Sequence, residues 1–153
     1  MYVLDLINKK KIAVQISEAN NSDLEQNDSF EFDWNHESEF GVYKLETKSS
    51  NEILGLISLN IIYEELRIEI RLIEIQKQSV GKSKRYERIA GVLLGLACKR
   101  AFDLGFFGFV SLIPKTKLQE HYQIKYGFKQ FGRHLAVQLE ESEIIMNKYL
   151  TNE

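Results

Sequence analysis

Four cations crowd the start of one helix: Lys82, Lys84, Arg85 and Arg88. A helix N-terminus already carries partial positive charge, so acidic residues are the usual choice there, and only Glu87 supplies one. Free backbone N–H groups and clustered cations together make an anion site; the alternative is a solvated basic loop. Gly81-Lys82-Ser83 is not a phosphate loop of the Walker type, because Gln76 stands where its first glycine belongs. The strand before this loop, residues 66–75, carries an irregularity. Ile68, Ile70 and Leu72 alternate with Arg67, Glu69 and Arg71, and then the parity flips to Ile73 and Ile75 around Glu74. Strand side chains alternate strictly. The flip therefore marks either an inserted residue, which frees backbone polar groups from the ladder, or a strand end buried on both faces. A bulge here predicts Ile68 and Ile70 on one side of the sheet and Ile73 and Ile75 on the other.

Other reactive types are less informative. His36, His121 and His134 have no metal-ligand spacing with one another or with Cys98, so no metal is expected. Cys98 falls on the apolar face of the long helix, which predicts an inert core thiol. Glu74 and Glu69 sit beside arginines, and a surface ion pair is the bland reading of each. Leu118, Tyr122 and Tyr126 recur at helical spacing and predict a face packed on the core.

The elements that must position these groups follow from periodicity. Residues 11–17, 40–47, 52–63 and 66–75 read as strands with short connections, an antiparallel meander. A long helix follows, with Ile89, Leu93, Leu96, Ala97 and Leu104 on one face. Gly91 and Gly95 cost helix propensity, which points to close approach by a neighbour. Phe106 to Ile113 reads as another strand, 115–126 as a short helix stopped by Gly127, 128–139 as one or two strands, and 142–150 as a terminal helix. Residues 18–39 lack a helical pattern; Phe30, Phe32 and Trp34 alternate with acidic residues and suit an edge strand or an aromatic wall.

At 153 residues, 44% hydrophobic and 27% charged, the chain suits one soluble domain, residues 1–153. A net charge of −2 gives no global pull toward nucleic acid or membrane, and a nucleic-acid module lacks the broad basic face it needs. Met1 to Ile7 is apolar but its lysines follow it, which argues against a signal peptide, and no stretch approaches a membrane span. A cytoplasmic location is the expectation.

Meander, helix, strand, helix, strand is an order that resembles the GNAT superfamily of N-acetyltransferases. In that family a bulged fourth strand leads to a loop of the form Gln/Arg-x-x-Gly-x-Gly/Ala that opens a long helix. Here the matching run is Arg85-Tyr86-Glu87-Arg88-Ile89-Ala90: Arg85 and Ala90 match, and Arg88 stands at the first glycine's position. Residues 109–128, FVSLIPKTKLQEHYQIKYGF, are similar to the family's fifth strand and fourth helix. The likeness spans roughly residues 40–140. It implies an α+β fold, with a mixed, mostly antiparallel central sheet flanked by helices. It implies acetyl transfer from acetyl-CoA, as cosubstrate, to an amine whose identity these residues do not reveal.

The same resemblance implies roles. Glu74, and after it Glu69, would take the amine's proton. Backbone N–H groups from Ile73 to Ile75 would hold the oxyanion and the pantetheine arm. The N–H groups of Tyr86, Arg88, Ile89, Ala90 and Gly91 would take the pyrophosphate, flanked by Arg85 and Arg88, with Lys115 touching the cofactor's other side. Tyr122 would protonate the departing thiolate, or else belong to the core. The family usually builds its acceptor site from two helices between the first two strands. Their absence from 18–39 leaves an acceptor groove that is open, or completed by a second subunit in a homodimer. The competing reading is a catalytically degenerate GNAT-like module that acts through a protein partner.

Overall fold

The computed structural model describes residues 1–25, 27–114 and 119–151. Nine strands form one sheet: β1 (Tyr2–Asp5), β2 (Lys10–Glu18), β3 (Gly41–Thr47), β4 (Ile53–Ile62), β5 (Arg67–Ile75), β6 (Tyr86–Glu87), β7 (Val110–Leu112), β8 (Lys129–Phe131) and β9 (His134–Val137). Their order across the sheet is β6-β1-β2-β3-β4-β5-β7-β9-β8. Every pairing is antiparallel except β5 with β7. The described residues also form three α-helices: α1 (Ile89–Asp103), α2 (Gln119–Tyr126) and α3 (Leu139–Tyr149). Single-residue alternation explains the meander strands. The two strands not foreseen, β1 and β6, have only four and two residues, too few for a pattern to show.

The irregularity in β5 is a bulge. Ser58 pairs with Leu72 but Leu59 pairs with Ile70, so Arg71 is the inserted residue. Its consequence is the reverse of the one expected. An extra residue restores the phase rather than swapping faces: Ile73 and Ile75 pack against the same core as Ile68 and Ile70, while Leu72 packs on the opposite face. The bulge also sits at Arg71, ahead of regular pairing through Leu72 and Ile73.

The main core lies between the sheet and α1 and α3, and Tyr122, Tyr126 and Phe128 join it. Gly91 is where the two helices nearly touch, since a Cβ there would overlap the ring of Tyr149. Gly95 is looser, facing the flexible tip of Leu150 at 3.0 Å. We therefore expect Gly91→Ala to destabilise by about 1–3 kcal/mol through overpacking, and Gly95→Ala to be near neutral, because gained helix propensity offsets a small shift of Leu150. Thermal unfolding of the two variants checks this; equal melting temperatures would contradict the packing argument.

The segment between β2 and β3 packs on the face of the sheet opposite the main core. Leu24, Phe30 and Trp34 form a second small core with Val42 and Leu56. Trp34–Glu37 is a 3₁₀ turn rather than a strand, so Phe30 and Trp34 are wall residues. No helix among the described residues is long and apolar enough to cross a membrane.

Candidate active site

The site begins where β5 outruns its neighbour. Parallel pairing of β5 with β7 stops at Ile70 and Leu112, yet β5 continues to Ile75. Gln76 N–H donates to the Leu54 carbonyl at 2.9 Å. Backbone groups alternate along an antiparallel ladder, so Leu72, Glu74 and Gln76 direct their N–H groups to β4. Ile73 and Ile75 direct theirs to the opposite edge, which β7 does not cover. A cavity of about 800 Å³ opens there, walled by Ile73, Glu74 and Ile75 of β5, the loop from Lys77 to Lys84, the head of α1, and one face of α2. A second cavity of about 150 Å³ lies in the notch between β5 and the end of β7 and shares Phe32, Ile73 and Tyr122 with the first.

The head of α1 is held open by its surroundings. Tyr86 and Glu87 pair with Asp5 and Leu4 of β1, and Leu6 N–H donates to the Arg85 carbonyl at 2.8 Å. Arg88 then turns the chain with φ 85° and ψ 0°, a left-handed conformation at the position of the resembled motif's first glycine. Its Nη2 donates to the Lys148 carbonyl at 2.8 Å, Nε to the Tyr2 carbonyl at 3.3 Å, and the guanidinium stacks 4.1 Å from the Tyr2 ring. The first helical hydrogen bond runs from Val92 N–H to the Arg88 carbonyl, at 3.0 Å. Ile89, Ala90 and Gly91 therefore carry N–H groups that no intrahelical acceptor uses. Ile89 and Ala90 line the cavity. Gly91 has its Cα against α3.

Several expected site residues sit elsewhere. Arg85 does not line the cavity; its guanidinium lies 3.8 Å from Glu52 and 4.8 Å from the Tyr86 ring. Tyr86 reaches the cavity, but its N–H is used by the Ser79 hydroxyl at 3.3 Å. Arg88 does line the cavity, with its guanidinium bonded to the Tyr2 and Lys148 carbonyls. Glu69 pairs with Arg67 at 3.6 Å and His134 at 3.8 Å, away from the cavity wall. Lys115 lies outside the described residues. The cations that line the cavity are Lys77, Lys84, Arg88 and Lys125, with His121 in charge contact with Lys84 and Lys125. Burial, then Lys125 and Lys84, holds the His121 imidazole below its usual value, so it is neutral at pH 7. Sequence reasoning passed over His121 and Lys125; their four-residue spacing, like that of Tyr122 and Tyr126, is the signal that places them on one stripe of α2.

Glu74 stands in the cavity wall, only 9% exposed. Its Oε1 accepts from Trp34 Nε1 at 2.8 Å and Phe32 N–H at 3.3 Å, and its Oε2 from Glu31 N–H at 2.6 Å. The carboxylate thus clamps the 30–34 segment onto β5. The same segment is clamped again from the bulge. Arg71 Nε donates to Glu37 Oε1 at 3.0 Å, the Ser58 hydroxyl donates to the same oxygen at 2.8 Å, and Phe40 lies 3.8 Å from the guanidinium. Burial alone would raise the Glu37 carboxyl; the Arg71 and Ser58 hydrogen bonds outweigh it and hold it below the ordinary carboxylate value.

Tyr122 is 9% exposed and lines both cavities. Its ring packs edge-on to Phe128 at 5.6 Å and tilted to Tyr126 at 6.1 Å. Its hydroxyl makes no hydrogen bond to any described residue, and burial pushes the phenol above its usual value. Cys98 is buried and its thiol is pushed up to about 12, chiefly by burial, which makes it inert.

No family model matches the chain, and no curated protein matches it. Solved structures do. The chain is 16% identical to the spermidine/spermine N-acetyltransferase SpeG from Vibrio cholerae, crystallised with manganese ions, over 88% of this chain and 96% of that one, with a TM-score of 0.59. It is 18% identical to N-acetylglutamate synthase from Neisseria gonorrhoeae, complexed with coenzyme A and L-arginine, over 86% of this chain and 34% of that one, with a TM-score of 0.61. It is 13% identical to AtaTR bound with AcCoA, over 86% and 97%, with a TM-score of 0.59. Likeness at these identities concerns the fold: the chain has the GNAT-like α+β fold that its sequence resembles.

Proposed function

We propose that the chain is an N-acetyltransferase that moves the acetyl group of acetyl-CoA to an amine by direct attack. One observation carries this: the unpaired edge of β5 at Ile73 and Ile75 faces an 800 Å³ cavity whose far wall is the unladdered head of α1. That volume suits a cofactor-sized ligand. The Ile75 and Ile73 N–H groups bind the pantetheine amide and the thioester oxygen, and the pyrophosphate rests on the N–H groups of Ile89 and Ala90. The Ile73 N–H stabilises the oxyanion as the carbonyl becomes tetrahedral. Lys77, Lys84 and Lys125 supply charge beside Arg88, and Arg85 does not.

In the reaction the amine nitrogen forms a bond to the acetyl carbon, and the carbon–sulfur bond breaks. The amine's surplus proton leaves through a water on Glu74 Oε2, which accepts from a single donor among the described residues. Tyr122 gives its proton to the departing thiolate and recovers it from solvent. Its raised pKa keeps it protonated through the neutral range.

The engaged carboxylate of Glu74 is the one observation that favours a binding module without turnover. Charge reversal tests where the anion end of the cavity lies. Lys84→Glu with Lys125→Glu should weaken acetyl-CoA binding by at least tenfold, about 1.4 kcal/mol, whereas Arg85→Glu should leave it within about twofold. Equal losses in both variants would move the anion end back to the arginine and refute the assignment of cations made above.

A further inference from the structure

We propose that the acceptor is a compact monoamine carrying one apolar group about the size of a benzene ring, seated in the smaller cavity, and that polyamines are excluded. This rests on the acetyltransferase reading, since that reading sets the thioester carbonyl at the Ile73 N–H. Ile73 and Tyr122 belong to both cavities, so a nucleophile held in the smaller one meets the acetyl group at its mouth.

The smaller cavity selects by size and by charge. Its volume is about 150 Å³, and an apolar cavity of that order accommodates a benzene-sized group. Its walls are Leu72, Leu112, Ile113, Pro114, Phe32 and the ring side of Tyr122. Among the described residues no aspartate or glutamate lines it, and its one charged residue is Arg71. A second ammonium of a polyamine would lose its hydration there with no carboxylate to pair with, which is the costly case for a charge. The Arg71 guanidinium is fixed by Glu37 and stacked on Phe40, so it accepts no ammonium. Glu37 is itself spent on Arg71 and Ser58, so it offers no site for a cation. The same apolar walls favour the uncharged form of the acceptor's own amine, the form that attacks.

The test uses the full chain with acetyl-CoA. Thiol release is followed with benzylamine, phenethylamine and isoamylamine beside spermidine and spermine, for the unmodified chain and for Ile113→Trp. Ile113 is 57% exposed, so the larger ring fills the cavity mouth without crowding the core. Calorimetry with acetyl-CoA alone runs in parallel, and the fluorescence of Trp34, the chain's one tryptophan, reports amine binding to the unmodified chain. The proposal expects kcat/KM for benzylamine to exceed that for spermidine at least tenfold, and Ile113→Trp to raise the benzylamine KM at least tenfold with acetyl-CoA affinity within twofold. It is overturned if spermidine is the better substrate, if filling the cavity leaves the benzylamine KM unchanged, or if acetyl-CoA binds while no apolar amine reacts or quenches Trp34. Failure of acetyl-CoA to bind would instead remove the underlying acetyltransferase reading.

Discussion

Tyr122→Phe should lower acetyl transfer by roughly 10²–10⁴-fold, the usual loss when a proton donor in the transition state is removed, with the melting temperature unchanged. The two halves of this expectation have separate grounds. Phenylalanine keeps the ring that packs on Phe128 and Tyr126, and the lost hydroxyl makes no hydrogen bond to a described residue, so folding has nothing to lose. The hydroxyl belongs to the one side chain of α2 that lines both cavities, so a leaving thiolate has this donor at hand. Kinetics beside thermal unfolding decide it. Full turnover would return Tyr122 to a purely structural role; a large drop in melting temperature would show a bond that the hydroxyl is not seen to make.

Glu74→Gln should do two things at once. Three N–H groups converge on the carboxylate, and an amide can accept only through its single oxygen while its NH₂ opposes the remaining donor. Hydrogen bonds to a charged acceptor contribute about 1.5–3 kcal/mol each. Partial loss of the set should therefore cost about 2–4 kcal/mol and lower the melting temperature by on the order of 10 °C. Glu69→Gln, which removes only partly exposed pairs with Arg67 and His134, should cost less than about 1 kcal/mol. Turnover should also fall at neutral pH in Glu74→Gln, and the deficit should shrink as pH rises toward about 10, where a lysine-like amine loses its proton unaided. A deficit independent of pH would leave Glu74 as an anchor for the 30–34 segment and remove its part in proton transfer.

These roles trace what was legible in the chain. Alternation and helical spacing predicted β2, β3, β4, β5, α1 and α3 because each element buries one face against the same core. The phase flip at Leu72 and Ile73 located a bulge, but the sense of its effect was misread. An inserted residue exists to keep Ile73 and Ile75 on the core face, and only the Arg71 register shows that. The basic run at 82–88 marked a loop that lines the cavity, with Lys84 and Arg88 in its wall and Arg85 outside it. Which member of such a run faces a cavity depends on contacts distant in sequence: Arg85 is drawn off by Glu52, and the guanidinium of Arg88 is oriented by Tyr2 and Lys148. Glu74 was singled out for proton transfer, yet the three donors it gathers come from residues about forty positions earlier, in a segment with no periodic pattern. Tyr122 could be read as core or as site because it is both, a buried ring with its edge on two cavities.

The central claim is that the cavity beside the free edge of β5 receives acetyl-CoA, and calorimetric titration of the unmodified chain with acetyl-CoA tests it most directly. The account predicts one saturable site per chain, weakened at least tenfold when Lys84 and Lys125 are both changed to Glu. Absence of binding, or binding indifferent to those two charges, would contradict it.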